Sequence, residues 1–257
     1  MLVSRRATRW QTHRFVIEGP KLLEEALAAG AVIESVYVEA SSASTEHLAL
    51  AEQAAERGAL VYRTDPGVLA RVSDATTPQP IAAVVEMIDR SLDQLAGVRT
   101  GLVVVAVDMQ DPGNAGTVIR SAAASGAAAV VFPAGAVDVF SPKTVRASAG
   151  AVFHIPVVAG AAVEDVLDTA ADWGMRRLAT AARGGRSYDE VDLAGPAVIV
   201  LGSESHGLPS RLADRVDATI TIPMVGASES LNVAMAATVV CFEAARQRRS
   251  TPARVAS

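Results

Sequence analysis

A mostly parallel α/β sheet preceded by a smaller α/β unit is the fold class this chain predicts, and three observations predict it. From residue 101 onward six short apolar runs, "GLVVVAV", "AAAVVF", "AVFHIPVV", "MRRLATA", "AVIVLG" and "ATITIP", alternate with stretches of helical period. Runs without polar alternation are what strands covered on both faces look like, which is the situation in a parallel sheet flanked by helices. Residues 15–88 show an alternation of their own, and residues 89–100, "DRSLDQLAGVRT", lose periodicity between two β-like runs, as a linker does.

In the first unit, "EGPKLLEEALAAG" predicts a helix stopping at Gly30, "IESVYVE" a strand, "STEHLALAEQAAERG" a helix, and "ALVYR" and "IAAVVEMI" two further strands. The expected organisation is therefore a basic N-terminal arm over 1–14, a small α/β domain over 15–88, a linker over 89–100 and the larger domain over 101–250. Half of the 257 residues are apolar, enough to bury a sizeable core. No apolar run has the length of a membrane span, and the first eleven residues lack the apolar stretch of a signal peptide, so the cytoplasm is the expected location. The single cysteine, Cys241, lies within an apolar helical pattern and reads as packing; no metal site is expected.

The net charge of -5 excludes an indiscriminate phosphate binder, whose affinity comes from clustered positive charge. The distribution is more telling. Arg5, Arg6, Arg9 and Arg14 precede the first acid, Glu18, and all basic residues except Lys21 and Lys143 are arginine, the side chain suited to bidentate phosphate contacts. A solvated, frayed terminus or codon bias explains the same cluster, and a transit peptide fits less well because the segment runs directly into a folded unit.

Ligands of open α/β sheets bind beyond the carboxyl ends of the strands, so the loops after the apolar runs are where chemistry is expected. The first, "DMQDPGNAGTVIRSAAASG", carries Asn114 and, six residues on, Arg120, which share one side of a helix near its start. It lacks the three-glycine dinucleotide fingerprint and the Gly-Lys-Ser/Thr of a phosphate loop. On its own it reads equally as an Asn cap and a surface Arg. The second, "IVLGSESHGLPSRL", brackets Glu204 between Gly202 and Gly207 and contains no nucleophile elbow. The third, "IPMVGASESLNVAMAA", opens an apolar helix with Ser228, Glu229, Ser230 and Asn232. One oxygen suffices to cap a helix, from Ser228 or Ser230 for example, so the cluster has polarity to spare.

Taken in order, "DPGNAGTVIRSA", "VIVLGSESHGLP" and "IPMVGASESLNVAMAA" resemble the three motifs of the SpoU, or TrmH-like, branch of the SPOUT methyltransferases. "SPKTVRASAGAVFHIPV" looks like the segment between the first and second, and the unit from "FVIEGPKLLEEAL" onward is similar to the ribosomal-protein-like substrate-binding domain of rRNA-acting members. The resemblance implies a C-terminal SPOUT domain with a deep trefoil knot, an exception to the rule against threaded chains. It also implies a small N-terminal RNA-binding domain and a homodimer whose active sites draw on both protomers. The implied reaction is transfer of a methyl group from S-adenosylmethionine to a ribose 2′-hydroxyl of RNA, with 23S rRNA preferred to tRNA. The implied catalytic set is Asn114, Arg120, Glu204, Ser230 and Asn232. Thr180, Gly202, Ile222, Ser230 and Leu231 would hold the cofactor, and Arg5, Arg6, Arg9, Arg14 and Arg146 the RNA, with Ser148 near Arg146 at the RNA-facing mouth. Two competing readings are a non-catalytic ribosome-assembly protein of the same fold and a nucleotide-dependent oxidoreductase or hydrolase. The first is disfavoured by the intact motif residues and the second by the missing fingerprint and elbow.

Overall fold

The computed structural model describes residues 1–98, 101–202, 207–226 and 230–250, giving only the backbone of 96–98. The chain divides into two compact units, Met1–Ile88 with Asp138–His154 and Asp89–Val137 with Ile155–Ser257.

The first unit opens with α1 (Arg6–Thr12), closed by His13 in the left-handed region, and β1 (Arg14–Glu18). Neither was expected from the sequence, where the arginines masked the alternation of "RFVIE". Gly19, at φ 95°, turns the chain into α2 (Pro20–Ala28), with Pro20 in the first turn, where its missing N–H leaves no bond unmade. β2 (Ile33–Glu39) follows, and then α3 (Thr45–Glu56), started by a reciprocal cap in which Ser44 and His47 serve each other's backbone N–H groups. β3 (Leu60–Thr64), the short α4 (Val68–Val72) and β4 (Ile81–Glu86) complete the run. The four strands order as β1-β4-β2-β3, antiparallel except for the β2–β3 pair. Phe15, Ile17, Val36, Val38, Ala83 and Val85 are buried.

The chain then enters the second unit. A 3-10 turn over Asp93–Val98 buries Leu95 in that unit's core. β5 (Leu102–Ala106) leads into α5 (Pro112–Ala124), capped by Asp111, whose Oδ1 accepts from the Asn114 backbone N–H at 2.7 Å. After β6 (Ala129–Phe132) the chain returns to the first unit with α6 (Pro142–Ala147), capped by Ser141. Phe140 sits with its ring centroid 5.2 Å from that of Phe15 and 6.1 Å from that of Trp10.

The run "AVFHIPVV" was expected as one strand; only its end forms β7 (Val157–Ala159), and Ala151–Phe153 is a 3-10 turn. The turn follows Gly150, at φ 91°, and Phe153 stacks on Phe15, so tertiary packing overrides the strand propensity of the run. The second unit continues with α7 (Val163–Asp172), β8 (Arg176–Thr180), the two-residue β9 (Arg186–Ser187), β10 (Ala197–Leu201), β11 (Ala218–Thr221) and α8 (Val233–Ser250). Its seven strands order as β7-β6-β5-β10-β8-β11-β9 and every pair is parallel. β5 and β10 are buried at every position, which is why they read as unbroken apolar runs. The order reverses between β5 and β10, and a reversal of this kind opens a crevice at the carboxyl ends of the strands.

Among the described residues no helix is long and apolar enough to cross a membrane, and no cluster of His, Cys, Asp or Glu could hold a metal ion. Burial pushes the Cys241 thiol up to about 11, which makes it an inert packing group at neutral pH.

Candidate functional site

A cavity of about 240 Å³ lies at the carboxyl ends of β8, β10 and β11. Thr180, Ala181 and Ala182 enter it from the end of β8, Gly202 and Gly207 from the loop after β10, and Ile220, Thr221, Ile222 and Met224 from β11 and beyond. Ser230, Leu231, Val233, Ala236 and Val240 close it from the start of α8. All five residues expected to hold a cofactor, Thr180, Gly202, Ile222, Ser230 and Leu231, are among these. Ala181 and Ala182, which carry no motif, and Gly207 and Met224, which lie within the second and third motifs, were not among the residues expected to hold the cofactor. The spacing of Val233, Ala236 and Val240 marks one helix face and would have flagged that wall.

The backbone at Gly202 comes so close to the neighbouring chain that a Cβ there would lie 2.5 Å from the Gly207 carbonyl carbon and 2.8 Å from the Leu208 nitrogen. Only glycine allows that approach. Thr180 Oγ1 donates to the Val200 carbonyl at 3.3 Å, tying the β8 end to β10.

Beside the cavity the first and third loops meet. Asn232 Nδ2 donates to Asn114 Oδ1 at 3.0 Å, so the two candidate asparagines share a hydrogen bond. Asn232 Oδ1 accepts from the backbone N–H groups of Ala234, at 2.9 Å, and Met235, at 3.3 Å. Asn232 is therefore the cap of α8, the role expected of Ser228 or Ser230. With its oxygen held by the helix, its amide nitrogen points at Asn114. Ser230 is exposed and lines the cavity, and Ser228 lies outside the described residues.

Arg120 is exposed on α5 and, among the described residues, has no hydrogen-bond or ion-pair partner. It is absent from the cavity wall. Glu204, the remaining candidate, lies outside the described residues.

The arginines expected to contact RNA fall into two groups. Arg5 and Arg6 are exposed at the start of α1. Arg9 is corrected: it is 3% exposed, its Nε donates to Asp138 Oδ2 at 2.8 Å and its Nη1 donates to the carbonyls of Leu2 and Val3. A guanidinium buried and paired in this way is not offered to a phosphate. Arg14 pairs with Glu34 and, at 3.7 Å, with Glu86; Arg146 pairs with Asp74 at 2.6 Å and Glu18 at 3.5 Å. Ser148 is fully buried, donating to the Val145 carbonyl at 2.7 Å, and so does not reach an RNA-facing mouth.

A parallel-sheet domain with a cavity at the carboxyl ends of its strands, joined to a small α/β unit, defines the class as a two-unit α/β protein built to hold a cofactor-sized ligand. The chain belongs to the SpoU rRNA methylase family, whose profile matches residues 101–242, and residues 2–83 match an MRM3-like substrate binding domain. It is 35% identical over 234 residues to the 23S rRNA (guanosine(2553)-2'-O)-methyltransferase RlmP of Bacillus subtilis, covering 91% of this chain and 89% of the relative. The AdoMet-bound rRNA methyltransferase of Sinorhizobium meliloti superposes with a TM-score of 0.85 at 31% identity, over 95% of this chain and 91% of that one. The SpoU methyltransferase AviRb of Streptomyces viridochromogenes also gives 0.85, at 30% identity over 97% and 95% of the two chains.

Proposed function

We propose that this chain transfers a methyl group from S-adenosylmethionine to a ribose 2′-hydroxyl of RNA, and that 23S rRNA is its substrate. The observation that carries this reading is the convergence of Thr180, Gly202, Ile222, Ser230 and Leu231 on one cavity whose edge carries the Asn114–Asn232 pair. The cavity fits the cofactor in character. Ile222, Met224 and Leu231 offer an apolar wall for the adenine, and the close backbone packing of Gly202 on Gly207 and Leu208 fixes the part of the wall that follows β10. When bound there, S-adenosylmethionine supplies an activated sulfonium methyl.

The residues of the chain supply position and charge. Held by its double role as helix cap and partner of Asn114, Asn232 is fixed before any substrate arrives, and a group fixed in advance costs no reorganisation during reaction. Arg120 stabilises the alkoxide that develops on the 2′-oxygen, or the adjacent phosphate, with Glu204 orienting it. A guanidinium, with a pKa of roughly 12 or more, is a poor base near neutrality, so charge stabilisation rather than proton removal is the role we assign to it.

The reading includes a trefoil knot formed around the cavity segments and a homodimer acting in the cytoplasm. In support of the dimer, Met235 and Phe242, seven residues apart on one face of α8, are 52% and 45% exposed, and Leu231 is 39% exposed. The first unit and the exposed Arg5 and Arg6 hold the RNA.

Two results are expected. Gly202→Ala, which forces the cavity wall apart, should weaken S-adenosylmethionine binding by about tenfold or more in a calorimetric titration; unchanged affinity would place the cofactor elsewhere. Replacing Arg5 and Arg6 together with glutamine should lower the slope of log affinity against log salt for rRNA by up to about 1.4, near 0.7 per phosphate contact on a single strand. An unchanged slope would make the pair an ordinary solvated terminus. The function itself is tested by supplying label in the methyl group of S-adenosylmethionine and measuring incorporation into rRNA and tRNA separately: label in rRNA is expected, and binding of NAD instead of S-adenosylmethionine would overturn the assignment.

A further inference from the structure

We infer that Ser121 and Thr238 form a register pin between α5 and α8, a pair of positioning residues that sets the direction in which Arg120 points. Their hydroxyls lie 2.7 Å apart across the interface of the two helices, 117 residues apart in sequence. The proton assignment follows from the second bond. Thr238 Oγ1 donates to the carbonyl of Ala234, one turn back, at 2.8 Å. A hydroxyl has one hydrogen, so Thr238 must accept from Ser121, and the Ser121 hydroxyl is spent on this contact.

The pin matters because small side chains dominate the surfaces it joins. The buried residues of α5 are Ala115, Gly116, Val118, Ile119, Ser121 and Ala122, and those of α8 are Ala234, Ala237, Val240, Cys241, Ala244 and Ala245. Such small side chains hold two helices close yet supply few knobs to fix their relative slide and rotation. Directional contacts add what that packing leaves open, and two of them bracket the stretch of α5 that carries Arg120. Asn114 bonds Asn232 at the mouth, and Ser121 bonds Thr238 about two turns, roughly 10 Å, further down both helices. A single tie would leave a pivot. Two ties define the phase of α5, and Arg120, exposed and adjacent in sequence to the buried Ser121, is aimed by that phase.

The inference rests on the role proposed above for Arg120, and the test separates the two. Thr238→Val keeps shape and loses the hydroxyl, stranding Ser121 without a partner; the melting temperature should fall by a few degrees and kcat for methyl transfer by about tenfold, with KM for S-adenosylmethionine and rRNA unchanged. Thr238→Ser keeps the acceptor and should hold kcat near wild type. Adding Ser121→Ala to Thr238→Val removes both polar groups, so the melting temperature should recover while kcat stays low. Recovery of kcat together with melting temperature in the double variant would overturn the inference, as would a rise in KM with kcat untouched. With wild-type protein alongside, normal transfer by both wild type and double variant overturns the pin alone; absence of transfer by the wild type overturns the pin and the function together.

Discussion

Arg120→Lys should lower kcat for RNA methyl transfer by about 10²–10³ while S-adenosylmethionine binds as in the wild type. Lysine preserves the charge and removes the planar fork, so the substitution isolates geometry from electrostatics. The loss is expected because, among the described residues, nothing pairs with Arg120, and its donors face an oxyanion or a phosphate as a planar set. Because it lies outside the cavity wall, cofactor affinity has no reason to change. Calorimetry for the cofactor and single-turnover kinetics for the chemistry separate the two terms. A lysine variant with full turnover would show that any cation suffices there, and the assigned role would fall.

Arg9→Met should destabilise the first unit by about 3–5 kcal/mol, because it leaves Asp138 as an uncompensated buried charge. Both partners are under a tenth exposed, unlike the pairs Arg176–Asp192 and Arg246–Glu243, whose arginines are largely in water and whose contribution is small. Arg9 also gathers the carbonyls of Leu2 and Val3, while Asp138 Oδ1 accepts from the Phe140 backbone N–H at 3.2 Å. The pair thus joins α1 to the returning segment that carries Phe140. Adding Asp138→Asn should restore part of the loss, since asparagine is neutral and still accepts from Phe140. Urea unfolding followed by Trp10 fluorescence in a Trp173→Phe background reads this unit, because Trp10 packs on Phe140. A loss below about 1 kcal/mol would mean that the pair behaves as an exposed one.

The elements most legible in the sequence were those whose burial is uniform. β5 and β10 lie in the middle of a parallel sheet, and burial on both faces leaves an apolar run no alternation could disguise. The three loops that build the site were legible for a related reason: a parallel sheet puts its functional loops at one end, so they follow its strands. Within them the spacing of Asn114 and Arg120 on α5 was readable, whereas the Asn114–Asn232 hydrogen bond was not, since it joins helices 118 residues apart. The same distance problem hid Arg9. Beside Arg5 and Arg6 it reads as one more arm residue, and only the return of Asp138, 129 residues later, draws it inside. Local propensity also misled at 151–158, where Phe153 is claimed by Phe15 and the strand begins only after Pro156. Neither α1 nor β1 was foreseen, for an Arg-rich stretch masks the short apolar pattern beneath it.

The polar entrance of α8 illustrates how a cluster divides its tasks. Asn232 caps the helix and orients itself by doing so, while Ser230 and Leu231 face the cavity. The cap that was expected from a serine is thus also the feature that aligns the asparagine with Asn114.

The most direct test of the account is the chemical position of the transferred methyl group. After incubation of 23S rRNA with the protein and methyl-labelled S-adenosylmethionine, exhaustive alkaline hydrolysis cleaves only where a free 2′-hydroxyl can attack its neighbouring phosphate. The account predicts that the label is recovered in alkali-resistant dinucleotides. Label in mononucleotides, which would place the methyl on a base, or no label in the RNA at all, would contradict it.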